Sequence, residues 1–138
     1  MENTGKISIS SSTKNLKQVR NFIEESAKEY LTDINIINQI ILSVDEACTN
    51  IIKHTYNFDE NHIIDIENHI NNNQFIVKIS YNGGEFDPNK RSLPDMKEYF
   101  AKYKVGGLGI PLMKKFMDKI EYMHSVNNFN ELILVKNF

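Results

Sequence analysis

Residues 33–54 read DINIINQIILSVDEACTNIIKH, the strongest periodic signal in the chain. Ile36, Ile37, Ile40, Ile41, Val44, Cys48, Ile51 and Ile52 recur at three- and four-residue intervals, the repeat of a helix with one apolar side. Asp33 stands immediately before it, where a short carboxylate accepts from the free N–H groups of a first helical turn. A long amphipathic helix with one buried stripe requires a second layer to bury it against, so the flanking segments are read for that layer.

Upstream, Lys6–Ser10 alternates polar and apolar residues and predicts a short edge strand. Thr13 is placed to cap a helix that carries Leu16, Val19, Phe22, Ile23, Ala27 and Tyr30 and ends near Leu31. Downstream, Ile64, Ile66 and Ile70, then Phe75, Val77 and Ile79, predict two strands. Asn71–Asn73 joins them, a residue type that tolerates left-handed backbone. From Asn82 to Gly109 the chain changes character, for Gly83, Gly84, Gly106, Gly107 and Gly109 fall there, with Pro88 and Pro94 inside and Pro111 just beyond. That punctuation predicts a long irregular loop with one short helix around Asp95–Tyr103. Ile110–Met117 then predicts a helix with proline in its first turn, and Ile120–Val126 and Glu131–Lys136 predict two closing strands around a turn at Asn127–Asn130. The order predicts a two-layer α/β sandwich, with helices on one face of a mixed, mostly antiparallel sheet.

A chain of 138 residues with 41% apolar and 25% charged residues has the means to bury one core and the composition of neither a disordered nor a membrane protein. The formal net charge of −2 supplies no global positive field, so nucleic acid is not expected as a direct partner. The single cysteine, Cys48, cannot form an internal disulfide or a CxxC zinc site, and a reducing cytoplasm is the expected compartment. Met1–Lys6 has no basic-then-apolar leader pattern, and no apolar run is long enough to span a bilayer, so no membrane association is expected. His62, His69 and His124 lack ligand spacing and read as surface or strand-packing residues.

Two features can carry chemistry. Glu46, Asn50 and His54 fall at four-residue spacing, displaced from the isoleucine stripe, and form one polar ridge. On an arbitrary helix such a ridge is a solvated face. Its chemical reading makes Glu46 a general base and the Asn50 carboxamide oxygen a ligand for Mg2+, a hard ion that takes few protein oxygens and shares phosphate oxygens. The second feature is Gly106-Gly107-Leu108-Gly109 before a helix. It reads as a flexible turn, or as backbone able to approach an anion beside the free N–H groups of a helix start. No Walker A and no strand-linked GxGxxG pattern is present.

Together Glu46-Ala47-Cys48-Thr49-Asn50, Gly83-Gly84-Glu85-Phe86-Asp87-Pro88 and Gly106-Gly107-Leu108-Gly109 resemble, in order, the N, G1 and G2 boxes of the GHKL ATPase superfamily, the Bergerat fold. More narrowly, the chain resembles the anti-sigma-factor serine/threonine-protein kinases of bacteria, over nearly its whole length. The resemblance implies a single ATPase domain over 1–138 with an ATP lid at about 87–105. It implies Glu46 as catalytic base and Asn50 as the Mg2+ ligand, with His54 in a supporting role. It also implies that ATP is held by Tyr81, Gly83, Phe86, Gly106, Gly107, Leu108 and Gly109, with Gly83 letting the backbone lie close to adenine and Gly107 and Gly109 serving the lid and phosphates. The implied activity is serine phosphorylation of a STAS-type antagonist by a homodimer that alternately sequesters a sigma factor.

The chain departs from the family pattern where the G1 box has an aspartate that accepts from the adenine amino group; Tyr81 stands there. A phenol is larger and uncharged at neutral pH; it can accept through its hydroxyl, stack beside the base, or fill the pocket. The last of these gives the alternative function, a GHKL-like protein-binding module that no longer binds ATP. The last strand likewise lacks the small Gly-Thr pair often found in relatives, with Phe129-Asn130 and Ile133 standing there, a departure on the phosphate side of the pattern.

Overall fold

The computed structural model describes residues 4–84 and 109–138, the side chains of Thr4 and Ile110 excepted. The order is β1 (Thr4–Ser10), α1 (Leu16–Lys28), α2 (Ile34–Asn50), a π-helical turn (Ile51–Thr55), β2 (Ile63–Asn71), β3 (Gln74–Asn82), α3 (Gly109–Phe116), β4 (Lys119–His124) and β5 (Phe129–Asn137). The sheet order is β1-β2-β3-β5-β4, and β1 is an edge strand as its short alternating sequence predicts. All four pairings among the described residues are antiparallel, so the mixed sheet expected from sequence is antiparallel throughout.

Alternation along β3 sends Phe75, Val77, Ile79 and Tyr81 to the buried face, where Ile64 and Ile66 of β2 and Leu132 and Leu134 of β5 join them. Val19, Ile23 and Ala27 of α1 and Ile37, Ile40, Val44, Ala47 and Cys48 of α2 meet that face, making one core between two layers. Ile36 and Ile41 sit at its margin. Cys48 is fully buried within it, and desolvation pushes its thiol far up, so it packs as a small apolar residue.

Asp33 does cap α2, its carboxylate accepting from Asn35 N at 2.9 Å. The cap expected at Thr13 lies one residue earlier. Ser12 is extended (φ −109°, ψ 138°) and its Oγ accepts from Lys14 N at 3.3 Å, opening a 3-10 turn over Thr13–Asn15 that feeds α1. The β2–β3 turn places Asn72 and Asn73 at φ 47° and 62°, the left-handed pair that a tight hairpin requires. The expected loop helix at Asp95–Tyr103 lies outside the described residues.

Candidate active site

Helix α2 keeps its α-helical repeat through Asn50, so Glu46 and Asn50 stand one turn apart. Glu46 is half-buried; burial holds its carboxyl above the usual glutamate range, the charge of Asp45 adds to this, and Lys53 opposes it. Asp45 is itself engaged by Arg20 of α1 at 2.9 Å. Asn50 is buried, and its Nδ2 has no hydrogen-bond partner. A solvated polar face does not explain an amide removed from water with a donor unpaired, because such a group costs about 1–3 kcal/mol.

After Asn50 the helix widens. Tyr56 N donates to Ile51 O at 3.1 Å, an i→i+5 bond, and the turn Ile51–Thr55 is π-helical. A constant-period helical wheel therefore does not place His54, which lies half-buried inside the widened turn. The same turn fastens α2 to the end of β3. Tyr56 donates its hydroxyl to Asn82 O, stacks flat on His62 (centroids 4.1 Å apart) and meets the Tyr81 ring edge-on at 6.5 Å. Gly83, at φ 151°, lies so close to Thr55 that a β-carbon there would stand 2.3 Å from Thr55 Cγ2. Thr55 Oγ1 is a second buried polar atom without a partner.

The helical rod that carries Glu46, Asn50 and His54 thus meets the end of β3 through Thr55, which lies on Gly83, and Tyr56, which meets Tyr81 and Asn82. Tyr81 is buried, 3% exposed, with its ring on the core face. Gly109 is the first residue of α3, which packs along α2. Phe86, Gly106, Gly107, Leu108 and the expected lid at about 87–105 lie outside the described residues.

Sequence reasoning missed the central role of Asn130. Its side chain is fully buried and bonds to Tyr81 O, Gly83 O and Asn128 O on one side and to Tyr122 and His124 on the other. The departure from Gly-Thr at this position was the available signal.

Among the described residues no three His, Cys, Asp or Glu side chains gather as a protein-built metal cage. The donor chemistry at α2 is instead that of a single amide oxygen beside a carboxylate. It fits Mg2+, which needs one or two protein oxygens when it arrives with phosphate. The carboxamide oxygen of Asn50 is the group that would hold it, and the unpaired Nδ2, a donor, would face phosphate oxygen.

An antiparallel sheet backed by helices, with an acid and an amide one turn apart on the long helix, describes an ATPase-type α/β sandwich. The chain belongs to the histidine kinase-like ATPase domain family, whose model matches residues 9–136. Serine-protein kinase RsbW of Listeria innocua is 32% identical over 89 residues, 62% of this chain and 57% of that protein. Anti-sigma F factor of Clostridium beijerinckii is 29% identical over 105 residues, 76% of this chain and 73% of that protein. This chain thus spans little more than half the length of the Listeria relative. The solved structure of the RsbU and RsbW domains of a Mycobacterium tuberculosis protein superposes on 98% of this chain and 32% of its own, with a TM-score of 0.65 at 12% identity, and shares the fold. The resemblance to GHKL ATPases and to the anti-sigma kinases therefore holds. Among the described residues, no helix is long and apolar enough to cross a membrane.

Proposed function

We propose that this chain is an ATP-dependent serine/threonine-protein kinase that, as a cytoplasmic homodimer, also sequesters a sigma factor and phosphorylates a STAS-type antagonist. The relatives named serine-protein kinase and anti-sigma F factor support the class. The observation that carries the chemistry is the pair on α2: a buried Asn50 amide with an unpaired donor, one turn from a half-buried Glu46 whose proton affinity is raised. Glu46 takes the proton of the acceptor serine hydroxyl; burial makes it a better base than an exposed carboxylate and brings it closer to operating pH. Mg2+ and ATP, when bound, supply the transferable phosphoryl group and neutralise its charge. Asn50 orients the phosphate end, and the Gly83 turn, bare of a side chain and packed on Thr55, borders the base end.

Mg-ATP at a hundred times its dissociation constant is expected to stabilise the protein by about 2.7 kcal/mol, a rise in Tm of roughly 10 °C at this size. Asn50→Ala is expected to abolish that rise. A scan with no shift for the wild type removes the kinase reading, and a full shift in the alanine variant removes Asn50 from the site.

The binding-module reading is favoured by one observation, the burial of the Tyr81 ring against Tyr56 in space that a smaller carboxylate leaves open. On that reading Tyr81→Asp opens the base pocket and restores a charge-assisted acceptor. Nucleotide affinity then rises roughly tenfold to a hundredfold by titration calorimetry. An affinity within twofold of wild type shows that the phenol is no plug.

A further inference from the structure

We propose that Asn130 is a positioning residue that sets the Gly83 turn and, through it, the base end of the nucleotide site; the nucleotide clause rests on the kinase reading above. Asn130 lies on β5 directly across from Tyr81 on β3 and is 0% exposed. Its Nδ2 is 3.0 Å from Gly83 O and 3.3 Å from both Tyr81 O and Asn128 O. Three carbonyl oxygens can only accept, so the amide nitrogen faces them and Oδ1 faces the opposite way. There Tyr122 donates its hydroxyl at 2.5 Å, and His124 Nδ1 stands at 2.6 Å, which requires its proton on Nδ1.

The clamp closes from the other side as well. Gly83 N donates to Asn128 O at 2.8 Å, so one carbonyl ties the β4–β5 turn to both the Gly83 amide and the Asn130 side chain. Asn128 reaches this place from a left-handed backbone at φ 57°. Gly83 is thereby held through its N–H and its C=O, while its missing side chain lets it lie on Thr55. A buried amide satisfied at both ends specifies one geometry, because any shift of the turn strands several polar groups at once. The side-chain hydrogen bonds of Asn130 run to β3, β4 and the turns and not to α2, so its effect is directed at the position of the turn and not at Glu46 or Asn50.

Asn130→Asp keeps the size and the Oδ1 acceptor but sets a carboxylate oxygen against three carbonyls. Hydrogen exchange at the Gly83 amide is expected to quicken about tenfold relative to Ile79 in the same strand. The KM for ATP is expected to rise about tenfold with kcat within about twofold, a split that general destabilisation does not produce. Unchanged Gly83 exchange overturns the proposal, and so does a uniform rise across β3. Should the aspartate variant not fold, the double variant Tyr122→Phe/His124→Ala removes both donors to Oδ1 from the partly exposed hairpin. It is expected to speed Gly83 exchange about threefold, and no change there is equally fatal. If wild type shows no ATP effect, the kinase reading fails alone, and the exchange measurement still decides the role of Asn130.

Discussion

Glu46→Gln is expected to lower phosphotransfer by roughly a hundredfold to ten-thousandfold while leaving the Mg-ATP-induced rise in Tm intact. Glutamine matches glutamate in shape and can still accept a hydrogen bond, but it cannot take a proton from a serine hydroxyl at neutral pH. The same substitution carries a stability signature of defined sign. Burial and the Asp45 charge hold the folded-state Glu46 carboxyl above its unfolded value, with Lys53 opposing. Such a group contributes stability that is fully present below the unfolded value, about pH 4, and is lost as pH rises through the folded one. Relative to the glutamine variant, wild type therefore weakens with rising pH. The variant is expected to melt at or above the wild-type temperature at pH 7, and the difference should close near pH 3. Denaturant titrations across that range check the sign. A glutamine variant that is less stable at pH 7 than at pH 3, relative to wild type, contradicts the desolvated carboxylate, and retained phosphotransfer contradicts the base.

That Glu46 and Asn50 could be read from sequence as neighbours one turn apart follows from α2 being α-helical up to Asn50. The four-residue spacing of Glu46 and Asn50 translates directly into one turn of real helix. Asn72 and Asn73 were legible for a similar local reason, since asparagine is among the few residues that enter left-handed backbone cheaply. Legibility ends at Ile51. The sequence Ile51-Ile52-Lys53-His54-Thr55 contains no glycine or proline, yet the backbone widens there, because Tyr56 reaches Asn82 and Gly83 settles on Thr55. Those partners come from β3, so the cause is tertiary and leaves no local mark. The cap stands one residue before the expected Thr13, and the extended backbone that makes Ser12 the cap is set by the end of β1 and not marked in the sequence. Asn130 was hidden for the strongest reason of all. Its acceptors at Tyr81 and Gly83 are backbone carbonyls 49 and 47 residues away, and a carbonyl has no sequence signature.

Two of the departures from the family pattern, Tyr81 and Asn130, are cross-strand partners in the β3–β5 register. A larger residue at one position is thus met by a longer hydrogen-bonding one at the other, and both bear on the Gly83 turn. These two departures thus sit together in the structure, apart from the Glu46 and Asn50 pair on α2. On the proposed kinase reading, changes at Tyr81 or Asn130 are expected to act on nucleotide binding and changes at Glu46 on turnover.

Gly83→Ala is expected to be the most disruptive single-methyl change at the site. Two independent costs fall on it. At φ 151° the backbone occupies a region that residues with a β-carbon avoid, a strain of about 1–3 kcal/mol. The new methyl would also stand 2.3 Å from Thr55 Cγ2, and overpacking of this kind costs about 1–3 kcal/mol more. Thr55 has little room to yield, since a β-branched side chain is stiff about χ1 and Tyr56 Cε1 closes the far side at 3.6 Å from the same point. The sum predicts a fall in Tm of roughly 10–15 °C, with the Mg-ATP-induced rise lost as the turn is pushed away from α2. Thr55→Ser separates the two costs because it deletes Cγ2 and keeps the hydroxyl. In the double variant Thr55→Ser/Gly83→Ala the steric share should return and the backbone share should remain, so about half of the lost stability is recovered. A double-mutant cycle by chemical denaturation reads that coupling directly. Strict additivity of the two substitutions means that Gly83 and Thr55 do not touch, and the fastening of α2 to β3 through the π turn then fails with it.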